Sequence, residues 1–303
     1  PEPGRTIAIQ AGPGHDVLIV TDSIGDDQVE AWPDRVVFHR GATGSPGANP
    51  PGSVTVVTST GFEEMHIYGT QGGYDTAWLS DTLWQNGADT AARMKFEPAL
   101  GHVKWITARS YLRIKLFELV DVFGGGNNDR AIFFDGAGDE VFEGQWGLSR
   151  RTGPGYDVRA HGFPSVVAYS QVGADRARLV DSVFKDELQF KPHKTELFDQ
   201  STGGNVYRVT VRGFPLIEAE ALSPQDRDKA ALWDTVFDDL ITATPEQLVF
   251  ARLLAEARRP MLILRGFEFV KVRDSAGGQD QATVMTPLPY DLIFGAGWDV
   301  RTE

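Results

Sequence analysis

One signature recurs six times along these 303 residues: Asp, any residue, Ala, any, an apolar residue, any, Asp. A self-similar chain folds as stacked or radially arranged copies of one unit, so this feature restricts the architecture more than composition does. It stands as Asp75-Thr-Ala-Trp-Leu-Ser-Asp81, Asp129-Arg-Ala-Ile-Phe-Phe-Asp135, Asp175-Arg-Ala-Arg-Leu-Val-Asp181 and Asp228-Lys-Ala-Ala-Leu-Trp-Asp234. The first copy, Asp16 to Asp22, carries Leu18 in the Ala position, and the last, from Asp280, ends on Thr286. Successive first aspartates are 59, 54, 46, 53 and 52 residues apart. A further acid follows five residues after the signature at Asp27, Glu140, Asp186, Asp239 and Asp291, with Asp89 displaced by a three-residue insertion. Two residues beyond it lies an apolar position: Val29, Ala91, Phe142, Leu188, Ile241 and Ile293. Pro33, Pro192 and Pro245 close this stretch at one offset. A Gly-Phe pair precedes most copies, at Gly61-Phe62, Gly162-Phe163, Gly213-Phe214 and Gly266-Phe267, with Leu116-Phe117 in the odd one. Residues 1–303 thus read as one repeat domain, with repeat strands starting near 16, 75, 129, 175, 228 and 280.

Within each unit the alternation is that of strands: Ile7/Ile9, Leu18/Val20, Val54/Val56, Val209/Val211 and Phe267/Phe269. Gly-Gly-Tyr-Asp (72–75), Ser-Ile-Gly-Asp (23–26) and Gly-Ala-Gly-Asp (136–139) are turn sequences, in which Gly accepts positive φ and Asp binds nearby backbone. Residues 245–259 have helical composition but align with strand segments of the other copies, so helix and strand stand equal there. The expected fold is all-β, a right-handed parallel β-helix of six ~53-residue repeats with two rungs each. Like residues would then stack into a ladder of Leu18, Ala77, Ala131, Ala177, Ala230 and Ala282. The alternative is a six-bladed β-propeller, one four-stranded blade per repeat.

Taken together, Gly162-Phe163, Val167-Ala168-Tyr169, Gly72-Gly73-Tyr74-Asp75 and Asp22-Ser23-Ile24-Gly25-Asp26-Asp27 resemble the tandem β-helix-type repeats of large bacterial secreted and surface proteins. The resemblance implies an extracellular structural or adhesive solenoid, often one segment of a longer polypeptide. The Gly-Asp-Asp and Gly-Gly-x-Asp strings also resemble degenerate calcium-binding nonapeptide repeats, although their aspartates lie six and five residues apart rather than nine. Ca²⁺ takes six to eight hard oxygens, and Asp22, Asp26 and Asp27, then Asp135, Asp139 and Glu140, are the candidate ligands. The competing reading makes these acids turn caps that accept backbone N–H bonds.

Composition removes several functions. With no cysteine, thiolate catalysis, disulfides and Cys-zinc sites are excluded. A net charge of −13 opposes nucleic-acid binding, and no apolar run is long enough for a membrane helix. No phosphate-loop, His-Glu-x-x-His or Gly-x-Ser-x-Gly motif occurs. Trp78 and Trp233, with Arg130 and Arg178, fall at outward positions and are the candidate carbohydrate contacts. Arg130, Arg176, Arg178 and Lys229 would form one basic row, or a salt-bridged face with Asp129, Asp175 and Asp228. The reading as a whole is a non-enzymatic, secreted or surface-exposed solenoid acting as spacer, filament segment or adhesive module. Its expected partners are other copies or neighbouring repeats, because Thr6–Gln10 and Leu292–Gly295 carry no polar cap. A carbohydrate-active enzyme or lectin using one sheet face is the competing class.

Overall fold

The computed structural model describes all residues except 1–4, 34, 41–54, 81–91, 108–109, 127, 192, 201–205, 223–226, 255–256 and 275–276. Asp81, Asp89, Ala91 and Pro192 of the repeat pattern, and Val54 of the alternation, lie outside the described residues. The described residues contain strands and no α-helix, as the alternation requires. The chain divides into two units, one of residues 1–137 and 147–166, the other of 138–146 and 167–303.

A lead strand, β1 (Arg5–Gln10), precedes the first repeat. That repeat comprises β2 (Val17–Thr21), β3 (Gln28–Trp32), β4 (Arg35–Arg40), β5 (Thr55–Thr60) and β6 (Glu64–Tyr68). The second comprises β7 (Thr76–Ser80), β8 (Arg93–Glu97), β9 (His102–Ile106), β10 (Tyr111–Lys115) and β11 (Leu119–Phe123). The third runs through β12 (Arg130–Phe133), β13 (Val141–Gln145), β14 (Leu148–Gly153), β15 (Tyr156–His161) and β16 (Ser165–Tyr169). The fourth holds β17 (Arg176–Val180), β18 (Asp186–Lys191), β19 (Lys194–Asp199), β20 (Arg208–Arg212) and β21 (Leu216–Glu220). The fifth holds β22 (Lys229–Trp233), β23 (Asp239–Ala243), β24 (Leu248–Leu254), β25 (Ala257–Arg265) and β26 (Phe269–Arg273). The last has β27 (Gln281–Val284), β28 (Asp291–Ile293) and β29 (Asp299–Thr302).

In the first unit one sheet has the order β1-β5-β4-β3-β7-β11-β15-β14, and the other β2-β6-β10-β9-β8-β12. In the second unit the orders are β13-β17-β21-β25-β24-β23-β27-β29 and β16-β20-β19-β18-β22-β26-β28. Most pairs are parallel, and the fold is the all-β solenoid expected rather than a set of separate propeller blades. The third of the five strands runs antiparallel to its neighbours, as β4 does between β3 and β5. Residues 245–259 follow this rule: β24 and β25 form an antiparallel pair where helix and strand stood equal. Leu248 and Phe250 alternate inward, and packing of that face outweighs the local helical preference.

The expected ladder takes a different form. Each repeat places three strands in one sheet and two in the other, so the next repeat starts in the opposite sheet. In the first unit Leu18 and Ala131 therefore lie in one sheet and Ala77 in the other; in the second, Ala177 and Ala282 lie in one and Ala230 in the other. Each alanine is flanked by larger residues instead of by its counterparts. Ala77 stands between Val29 and Val120, Ala131 beside Met94, and Ala230 between Leu188 and Val270. All of these are essentially buried, and alternating small and large residues along a row fills the core without voids.

The Gly-Phe pair is a corner. Gly61, Gly162, Gly213 and Gly266 have φ of +82°, +70°, +77° and +79°, and Leu116 takes the same conformation at +61°. A non-glycine residue there carries about 1–2 kcal/mol of strain. Leu116 is 45% exposed, so little burial opposes relief of that strain. Leu116→Gly is expected to raise stability by about 1 kcal/mol in a urea melt, and a lower midpoint would refute that reading of the corner.

Candidate functional site

Asp75, Asp129, Asp175, Asp228 and Asp280, the first aspartates of five copies, are buried, and their carboxylates serve the backbone of the adjacent rung. Oδ1 of Asp75 accepts the N–H of Asp27 at 2.9 Å, and Oδ1 of Asp129 accepts that of Ala92 at 2.6 Å. In the second unit Asp175 accepts from Glu140 (2.8 Å), Asp228 from Asp186 (2.6 Å) and Asp280 from Asp239 (2.9 Å). The same bond thus recurs at five corners. The caps act between rungs for these residues, whereas the second acid caps its own turn. Asp186 Oδ2 accepts from Ser182 N (2.6 Å) and Ser182 Oγ (2.9 Å). Asp239 does the same with Thr235, and Asp27 with Ser23. A third position, Asp26, Asp139 and Asp238, accepts the N–H of Tyr74, Ala174 and Gln279. The glycine just before each donor, Gly73, Gly173 or Gly278, has positive φ and no room for a Cβ, which is why the string reads Gly-x-Asp.

Burial of so many carboxylates perturbs them. Burial and the nearby charges of Asp27, Glu118 and Asp22 push Asp75 up to about 7. Asp228 is likewise raised to about 7 by burial and by Asp181, Asp186 and Glu268, and Asp280 to about 6 by burial and by Asp239, Asp234 and Asp274. Burial also raises Asp186, which the Tyr207 hydroxyl and Ser182 partly offset.

Of the six calcium candidates, Asp22 and Asp27 come together with Asp75, their oxygens within 4.8 Å of one another. Asp26 is engaged by Tyr74 N, and Asp139 by Ala174 N. Asp135 pairs with Arg151 at 2.8 Å, and the guanidinium is wholly buried. Glu140 contributes its N–H to Asp175. The pattern did not single out a further group, Asp181, Asp186 and Asp228, whose oxygens also lie within 4.8 Å of one another. The signal was present, since each of the three occupies a repeat position.

The four carbohydrate candidates are not brought to one place. In the first unit Trp78 and Arg130 sit in different sheets, as do Arg178 and Trp233 in the second. The single basic row is corrected for the same reason: Arg176 and Arg178 share a strand, whereas Arg130 and Lys229 lie in sheets of the other kind, because the repeat changes sheet at each turn. Asp129, Asp175 and Asp228 are buried at the corners and not on an exposed face; Arg178 pairs with Glu220 at 3.2 Å.

Around Trp78 the neighbouring strands build an aromatic row. Ring centroids of Trp32 and Trp78 are 5.5 Å apart, those of Trp78 and Phe123 5.2 Å, and His161 stacks on Phe123 at 4.3 Å. Arg35 lies over Trp32 at 4.0 Å. His161 also meets Asp121 at 2.7 Å, and Arg159 and Arg150 both hold Asp157. Trp233 is contacted over its ring by Lys191 and Arg273, each at 4.9 Å. Phe123 and His161 stack face to face, Trp32 and Trp78 meet edge-on, and cations lie over Trp32 and Trp233, so a sugar ring stacking on Trp32 or Trp233 competes with those cations.

No family model matches the chain, and no curated protein or solved structure matches it either.

Proposed function

We propose that the chain is a structural solenoid module, a spacer or adhesive segment of a secreted or surface protein. The observation that carries this reading is the recurrence of one carboxylate-to-backbone bond at five corners. An enzyme concentrates its special residues at one place, whereas here the repeated residues hold one rung to the next. Cations over Trp32 and Trp233 and the stacking of His161 on Phe123 give the competing glycan-binding reading less support. The resemblance to tandem repeats of bacterial surface proteins supports the extracellular setting.

Such a module associates through its terminal strands, which keep one unpaired side. Among the described residues β1 pairs only with β5, and β2 only with β6. This edge exposes Ile7, Ile9, Val17 and Ile19, the last at 65%. At the other limit of the sheets Ile293 and Val300 are exposed as well. Light scattering over a concentration series is expected to show reversible self-association. Ile7→Lys with Ile19→Lys is expected to abolish it while leaving the melting temperature within a few degrees. A chain that is monomeric at all concentrations sinks the association, and specific retention on a glycan array supports the competing class instead.

A further inference from the structure

The corner of the fourth repeat differs from its siblings in one residue. In the first repeat Arg40 lies on β4 next to His39, the partner of Gln28, and its Nη2 reaches the carbonyl of Thr21, the residue before Asp22, at 2.8 Å. In the third, buried Arg151 pairs with Asp135. In the fifth, Arg252 lies directly opposite Asp239 on the antiparallel strand, and burial raises the proton affinity of Asp239 while the charge of Arg252 offsets part of that rise. The third corner thus pairs a guanidinium with a carboxylate, and the first and fifth place an arginine close to theirs. In the fourth, the residue directly opposite Asp186 is Asp199, and it is fully buried. An acid stands where the fifth repeat has arginine.

Asp181, Asp186 and Asp228 are 7%, 0% and 0% exposed, with oxygens within 4.8 Å of one another. Oδ1 of Asp228 is bound to Asp186 N, but its Oδ2 is buried without a hydrogen-bond donor. Buried carboxylates at this density are unstable unless a positive charge joins them. The ligand set is oxygen only, which suits a hard cation rather than zinc or copper. We propose that Asp181, Asp186 and Asp228 bind one divalent cation of the calcium class, in the role that Arg151 plays at the third corner. The nearby Tyr207 hydroxyl is buried as well.

The test uses the full chain, stripped with chelator and titrated with Ca²⁺ in a calorimeter, alongside thermal melts in Ca²⁺ and in EDTA. Ca²⁺ is expected to raise the melting temperature by several degrees. Asp228→Asn, or Asp181→Asn if that variant does not fold, is expected to bind one equivalent fewer than wild type. Asp199→Arg supplies the charge that Arg252 brings to the same position of the fifth repeat, so it should melt higher in EDTA and lose the Ca²⁺ response at this corner. Absence of Ca²⁺ binding to wild type overturns the proposal, as does an unchanged stoichiometry in these variants. Stabilisation by acid alone, without bound Ca²⁺, makes the cluster a proton store and overturns it equally.

Discussion

Gly213→Ala and Gly266→Ala are each expected to lower stability by about 3–5 kcal/mol, whereas Gly61→Ala loses only about 1–2 kcal/mol. All three glycines occupy the same corner with φ between +77° and +82°, so the left-handed penalty is common to them. The surroundings differ. A Cβ on Gly213 falls 2.1 Å from the carbonyl oxygen of Ser170, and on Gly266 it falls 2.0 Å from that of Ala221. Those oxygens belong to backbone held by ladder bonds, Ser170 N to Arg212 O and Ala221 N to Arg265 O, so they cannot retreat without breaking the sheet. At Gly61 the nearest atom is the Cβ of Ala11 at 3.5 Å, an ordinary contact. Urea midpoints of the three variants measure the contrast. Equal losses would mean that backbone conformation alone explains the glycines and that the close approach of rungs contributes nothing.

In EDTA the protein is expected to be most stable near pH 4 and to lose several kcal/mol by pH 8. Asp75 and Asp228 titrate near 7 when folded and near 3.8 when unfolded, and Asp280 near 6. Because these folded values are raised, the native chain holds more protons than the unfolded one between about pH 4 and 7. Stability therefore falls as pH rises through that window. A tenfold difference in proton affinity between the folded and unfolded chain is worth about 1.4 kcal/mol, and coupling among neighbouring acids keeps the sum below a simple addition. Glu63, Glu64, Asp157 and Glu196 bind protons less readily when folded and destabilise only at more acid pH, which sets the lower limit. Melts of wild type against Asp75→Asn with Asp228→Asn check the assignment. The amide retains the oxygen that accepts the rung N–H but cannot ionise, so the double variant should show a much flatter profile. An equally steep profile would move the effect to other groups.

These two predictions show how unevenly the chain disclosed itself. Periodicity of about 53 residues, alternation within each copy and the Gly-Phe and Gly-Gly-x-Asp strings pointed to an all-β repeat, with a β-helix expected and a propeller as the alternative, because they record local backbone requirements. Positive φ at Gly213 and a turn cap at Asp186 are written into neighbouring residues. The aspartate pattern likewise announced that carboxylates would meet backbone N–H groups.

What an aspartate meets in the next rung is a different kind of fact. That Asp75 caps Asp27, 48 residues away, follows from strand register and not from spacing along the chain. The odd number of strands per repeat sends each copy to the opposite sheet, which scattered the expected alanine ladder and the basic row. The same tertiary register set Asp199 against Asp186, whereas Arg252 faces Asp239. Sequence determined the unit and its corners, since those depend on residues in immediate succession. Only the packed sheets decided which charges share a buried corner, because electrostatic energy depends on distance through space.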